Sequence, residues 1–306
     1  MKARFDAQTN QGIIRENNED CFIIQQLWDE NHLLCAAIDG MGGYEGGEVA
    51  AAVARDTIIE YLSNCTQRNN LLQPLEEAVI EANNSIIRRK EDDVSLRQMG
   101  CVATVGIIDL DNAMLYMAHV GDSRLYQFKE GRLQKLSHDH SLVGYREDIG
   151  EISEEEAMAN PNRSIISRSL GNKMIEEPGH DDIELGIFPL QSGAQLLFCS
   201  DGLTDMVTSL EIAAILGQDI SLNNKNRQLI DLANEKGGKD NITVVLVELG
   251  NNSQKKNKKT KKTNTLSLPD FKEDSQISLH VNLLALLLAL AFLIGLGFGY
   301  LLSTVI

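Results

Sequence analysis

Five short stretches of the chain set an aspartate where an apolar run meets a turn: AAIDGMGG with Asp39, AHVGDSRLY with Asp122, LLFCSDGLTD with Asp201 and Asp205, GGKDNITVV with Asp240, and RENNEDCF with Asp20. Strand ends are rigid and project side chains into a common rim, so acids placed there can converge without ordering a loop. Gathered carboxylates repel unless a cation sits among them, and oxygen-only donors suit magnesium or manganese rather than zinc. A single Asp-Gly is ordinarily a turn. What raises the set above turns is its repetition, with doublets at Asp39-Gly40 and Asp201-Gly202 where glycine lets a backbone carbonyl approach an ion. The glycines of DGMGGYEGGE also suggest a nucleotide cradle, yet that stretch holds neither the lysine of a P-loop nor a well-placed GxGxxG. His138 and His140 form an HxH pair in SHDHS with no cysteine or third histidine nearby in sequence, so a hydrogen-bonded loop is expected there rather than zinc.

The elements that must position these acids are legible from pattern. Apolar runs of strand length recur at Cys21–Leu27, Leu33–Ile38, Cys101–Ile108, Ala113–Val120, Gln195–Ser200 and Ile242–Leu249. Only DLDN separates the third from the fourth, a hairpin length, so the sheet must be at least partly antiparallel. Helical spacing appears over Gly47–Asn64 and Pro74–Lys90, the latter opening on proline and two acids and closing on cations. Two long helices in succession, rather than alternating with strands, predict an α+β layered domain and not a doubly wound parallel one.

Residues 1–250 show no linker and no internal repeat, so they read as one domain. The formal net charge of −16 disfavours nucleic acid as a partner, because phosphate binding needs a basic face. Five scattered cysteines without a CxxC pair read as reduced thiols, and no cationic and apolar opening predicts a cleaved signal peptide. The end of the chain differs in kind. Lysines crowd Lys255–Lys262 and no charge occurs from Val281 to Ile306, which predicts a basic disordered juxtamembrane linker over 251–280 and a transmembrane helix over 281–303. By the positive-inside rule the large domain then faces the cytoplasm, as a single-pass anchored protein.

Taken in order, RENNED, DGMGG with Gly47-Glu48, GDSRLY, DHS, SDGLTD and DNITVV resemble the bacterial branch of the metal-dependent serine/threonine phosphatases, the protein phosphatase 2C family. The resemblance spans about residues 3 to 249. It implies a β-sandwich of two antiparallel sheets flanked by helix pairs, four layers in all, with one C-terminal transmembrane helix added here. It also implies two manganese or magnesium ions, with a weaker third position. By position, Asp39 would bridge the pair and the Gly40 carbonyl would ligate one ion. Asp201 and Asp240 would complete the first ion's shell, and Asp20 would stand near the second. Asp122 and Asp205, with Asp201, match the third position, and Arg15 matches the arginine that holds substrate phosphate. The implied activity is hydrolysis of phosphoserine and phosphothreonine in proteins by a metal-activated water, opposing a serine/threonine kinase. A catalytically weak, membrane-tethered scaffold on the same fold is the alternative. Met41 and Tyr44 stand where relatives place a histidine, so the resemblance assigns no general acid and leaves that proton to water. The acidic stretch Glu147–Pro161 corresponds to a flap beside the site in relatives, while its plain reading is a solvated helix.

Overall fold

In the computed structural model, which describes residues 1–42, 46–179 and 181–250, successive residues of the long apolar strands face different layers. Leu33, Cys35 and Ala37 of one strand enter the core between two sheets, and Leu34, Ala36 and Ile38 pack under helices on the other side. A strand buried on both faces reads as an unbroken apolar run, which is why these strands were legible in the sequence.

Ten strands of the described residues form two five-stranded antiparallel sheets. The first runs in the order β2 (Asp20–Gln26), β3 (His32–Met41), β4 (Gly100–Asp109), β5 (Met114–Val120) and β8 (Glu184–Pro189). The second runs β1 (Lys2–Asn10), β10 (Ile242–Gly250), β9 (Gln195–Cys199), β6 (Arg124–Lys129) and β7 (Arg132–Lys135). Helices α1 (Gly46–Asn64) and α2 (Leu72–Asp92) cover the first sheet. Helices α6 (Ser209–Leu216) and α7 (Leu222–Glu235) cover the second. Short α3 (Leu142–Asp148) and α4 (Glu154–Met158) lie between β7 and β8, and α5 (Asp201–Thr204) follows β9. The layering is the expected helix, sheet, sheet, helix sandwich.

The sequence reading passes over β1, β6, β7 and β8. Each mixes polar with apolar positions, as in KARFDAQTN and RLQK, and is paired by backbone bonds to a neighbour rather than marked by its own hydrophobicity. The acidic Glu147–Pro161 stretch contains α4, whose N-terminus is fixed by a capping box between Ser153 and Glu156. The expected linker at 251–280 and membrane helix at 281–303 lie outside the described residues, as does Tyr44. Among the described residues no helix is long and apolar enough to cross a membrane.

Register carries the acids to one end of the sandwich. Asp20 stands opposite Asp39 across β2 and β3, and Asp39 opposite Val102 across β3 and β4. On the other sheet, β9 runs into Asp201 while Asp240 precedes β10, its antiparallel partner. Two polar contacts bolt the sheets together there. Ser200 Oγ donates to Asp20 Oδ2 at 2.7 Å and accepts from the Thr243 amide at 2.9 Å. Asn241 accepts from the Glu19 amide and donates to the carbonyls of Gln11 and Asn17, each at 2.8 Å, which fixes the loop that bears Arg15.

Asp122 is fixed from beneath. The buried Arg124 guanidinium forks onto Asp139, with 2.7 Å from Nη2 to Oδ2, and reaches Glu147 at 2.7 Å. Lys135 adds bonds to Asp139 and Asp148. Burial alone would push the Asp139 carboxyl up, but Arg124 and Lys135 hold it below the ordinary carboxylate range. Breaking a buried pair from one side leaves an uncompensated charge. Asp139→Ala should therefore cost about 3 kcal/mol of stability, measured by urea unfolding; a loss below about 0.5 kcal/mol, the level of a bland surface change, would show that Glu147 alone satisfies Arg124.

Candidate metal centre

At the acidic end of the sandwich a cleft of about 780 Å³ opens between the two sheets. Asp39, Asp122, Asp201 and Asp240 all line it, so residues far apart in the chain share one wall. Asp205 lies just behind, facing Asp122 and Asp201 across a smaller recess. Arg15 is at the mouth, donating from Nη2 to Asp240 Oδ2 at 2.6 Å. Its side chain stays partly exposed.

Glycine is needed at both Asp-Gly doublets for reasons of packing. A Cβ at Gly40 would lie 2.1 Å from the Gly47 carbonyl oxygen and 2.6 Å from that of Glu19, and one at Gly202 would lie 2.0 Å from the Asn241 carbonyl oxygen. Backbone of α1 and of Asn241, just ahead of β10, thus presses directly on the turns that present Asp39 and Asp201. The doublets pin those two aspartates against the neighbouring elements.

The electrostatics are those of an anion cluster lacking counter-charge. Burial, then the charges of Asp20, Asp201, Asp122 and Asp240, drive the Asp39 carboxyl well above its ordinary range. Asp201 is raised in the same way by burial and by Asp205, Asp122, Asp240 and Asp20. Burial with Asp139 and Asp205 pushes Asp122 up to about 7. Burial also pushes Asp20 up to about 7, against the pull of its Ser200 bond. Among the described residues the buried Oδ1 atoms of Asp20 and Asp201 have no hydrogen-bond donor. An orphaned carboxylate oxygen on Asp201, in the wall of a water-accessible cleft with that of Asp20 behind it, is what a hard divalent cation satisfies, and the donors are all oxygen. The residues present therefore fit magnesium or manganese.

The structure sorts the expected site residues into three groups. Asp39, Gly40, Asp122, Asp201, Asp240 and Arg15 line the cleft as a set. Asp20 is close enough to act on Asp39, but its carboxylate turns to Ser200 of the opposite sheet and does not line the cleft. Its neighbour Glu19 does, as does Glu48 in the first turn of α1. The sequence reading gave neither of them a role, although both lie inside the quoted motifs. Asp205 is ion-paired to Arg163, which arrives from the segment after α4 together with Ser164 and Ile166 of the cleft wall.

Around the HxH pair the fold supplies what the sequence lacks, since His119 and Glu184 come to His140 with donor atoms all within 4.8 Å. Those atoms already have partners. His140 Nδ1 accepts from the Gly121 amide at 3.1 Å, and its Nε2 lies 3.5 Å from Arg168 Nη1 and 3.9 Å from Glu184. His119 meets Thr104 Oγ1 at 2.8 Å and the His138 carbonyl at 3.0 Å, and His138 pairs with Glu184. Burial, with His119 and Arg168 nearby, pushes His140 down to about 3. The group is a hydrogen-bonded scaffold for Gly121 and so for Asp122.

The raised carboxyl groups predict a pH signature. Their folded-state values lie above the unfolded value near 4, so between about pH 4 and 7 the metal-free folded chain binds protons that the unfolded chain has released. Stability must then fall as pH rises through that window. With chelator present the melting temperature should be higher at pH 6 than at pH 8, and saturating Mn²⁺ should raise it more at pH 8. Equal metal-induced shifts at the two pH values, by differential scanning calorimetry, would contradict proton and metal competition at these acids.

Comparison with known proteins agrees with the geometry. The sequence profile described as Protein phosphatase 2C matches residues 15–241. Over 255 residues the chain is 36% identical to the serine/threonine phosphatase stp of Listeria welshimeri, covering 81% of this chain and 96% of that one. The Mycobacterium tuberculosis serine/threonine phosphatase PstP/Ppp superposes with a TM-score of 0.70 at 32% identity, over 82% of this chain and all of the other. The catalytic domain of a phosphatase PstP, in complex with two manganese ions, gives 0.68 at 30% identity over 81% and 99%.

Proposed function

Because the chain belongs to the protein phosphatase 2C family and is a metal-dependent protein serine/threonine phosphatase, we propose that its converging aspartates are the centre where the phosphoester is hydrolysed. The observation that carries this reading is the convergence of Asp39, Asp122, Asp201 and Asp240 on one cleft with Arg15 at its mouth. Asp39, with the Gly40 carbonyl, would hold the shared position of a pair of manganese or magnesium ions. Asp201 and Asp240 would complete one shell. Glu19 and Asp20 would serve the second, the former at the cleft surface and the latter from beneath, where its Ser200 bond sets its direction. When bound, such ions supply a water acidic enough to attack phosphorus at neutral pH and positive charge for the phosphoryl oxygens.

The chain's own part is to bind and orient. Arg15 offers a planar fork to the phosphoryl oxygens, and its bond to Asp240 holds that fork over the cleft. Among the described residues no cysteine lines the cleft, so no thiol is placed to attack the phosphoester. Met41 lines the cleft but has no proton to give, and water would supply the proton to the leaving oxygen.

Three finer points belong to the same proposal. A third ion would occupy the Asp122, Asp201 and Asp205 recess. The uncharged stretch from Val281 to Ile306, preceded by the lysines at Lys255–Lys262, would anchor the chain in a membrane with the catalytic domain on the cytoplasmic side. Substrates would be phosphorylated proteins within reach of that surface, opposing a serine/threonine kinase.

The full chain with Mn²⁺ should hydrolyse a phosphothreonine peptide. Asp39→Asn should lower kcat by roughly 10³-fold, and Asp39→Asn turning over as fast as the parent would remove the metal assignment. Arg15→Ala should lower kcat/KM by about 30- to 100-fold, the scale of losing charge-assisted bonds to one phosphoryl group.

A further inference from the structure

The segment that follows α4 returns over the acid cluster and sends one cation into it. Arg163 is only 12% exposed at its side chain; its Nε bonds Asp205 Oδ1, and its Nη2 donates to the Thr204 carbonyl at 3.0 Å. Asp205 lies four residues after Asp201 and its amide donates to the Asp201 carbonyl at 2.7 Å, so the two carboxylates rise from one short turn. The recess that Asp122, Asp201, Asp205 and Arg163 share with Arg124, itself committed to Asp139 and Glu147, has a free space of about 10 Å³. A cavity measured this way needs roughly 10–15 Å³ to hold one water, so the recess has room for about one water and not for a cation with its hydration shell while the guanidinium is in place.

Resting on the phosphatase reading above, we propose that Arg163 is a tethered cation that competes with the third divalent ion for Asp205. The charge the recess requires is then supplied in two interchangeable ways, by an ion from solution or by a side chain from the segment after α4. The same segment contributes Ser164 and Ile166 to the wall of the catalytic cleft. Release of Arg163 by an incoming ion therefore frees one wall of the cleft, and by reciprocity whatever holds that wall in place weakens the third ion. Arg163 is a positioning residue in this scheme and does not meet the phosphoryl group. The fork matters as well as the charge, because only a guanidinium bonds Asp205 and the Thr204 carbonyl together.

The test counts bound Mn²⁺ by electron paramagnetic resonance on the full chain, with hydrogen exchange of residues 159–166 followed in the same titration. Arg163→Met should bind a third ion at a concentration at least tenfold lower than the parent, with the two tighter ions shifted less than threefold. Arg163→Lys, which keeps the charge and loses the fork, should fall between them. Adding Asp205→Asn to Arg163→Met should abolish the gain. In the parent, exchange at 159–166 should rise as the third ion binds. Equal third-ion midpoints in parent and Arg163→Met would overturn the inference, as would a third ion in neither, or binding in the parent with unchanged exchange. Asp39→Asn separates the two levels of the reading. If it retains the tight ions, the assignment of the centre fails; if it loses them and Arg163→Met shifts nothing, only the competition fails.

Discussion

The burial of several like charges in one place governs this molecule. Two carboxylates some 5 Å apart in a surroundings of effective dielectric near 20 repel by about 3 kcal/mol, and here Asp39 feels four others. No folded chain of marginal stability gathers such a group without compensation. Much of the architecture around the cleft can be understood as the means of holding these acids together until a cation relieves them.

Compensation comes at three depths. Deepest is the Arg124, Asp139, Glu147 and Lys135 network, which places fixed charge of both signs under Asp122. Above it, Ser200 and Asn241 tie the two sheets and the Arg15 loop with neutral hydrogen bonds, so that Asp20 and Asp201 keep their places without contributing more charge of their own. Arg163 and Arg15 lie nearest the cleft, each already paired with one aspartate of the cluster. The remaining deficit falls between Asp39 and Asp201, both driven well above the ordinary carboxylate range by burial and by the acids around them. A bridging cation has most to gain between them.

This distribution also separates rigid from adjustable parts. Asp39 and Asp201 issue from central strands buried on both faces, pinned by glycines that backbone of other elements presses upon. Ser164 and Ile166 come instead from a connection between short helices and β8. Groups that must hold a bound ligand in fixed geometry belong on rigid strand ends, and connections are where a wall can vary. The sandwich divides those duties between strand ends and the segment after α4.

Asp39, Asp122, Asp201 and Asp240 could be picked out from the sequence because each borders an apolar run long enough to be a strand, and local pattern encodes where strands stop. The layered α+β class followed likewise from the hairpin at DLDN and the two successive helices. Strands β1, β6, β7 and β8 escaped notice because their burial depends on neighbours rather than on their own composition. The same limit applies inside the site. Asp20 and Glu19 are adjacent in RENNED, yet one turns to Ser200 of the other sheet and the other to the cleft. Asp205 sits in SDGLTD as plainly as Asp201, yet its partner is Arg163, 42 residues away. By itself the sequence determined which residues could ligate a cation and that strands would present them. Only the tertiary structure decided which carboxylate faces the cleft, which faces a serine and which faces a guanidinium, because those choices are set by register between strands and contact between sheets, and neither is written in the local pattern of the chain.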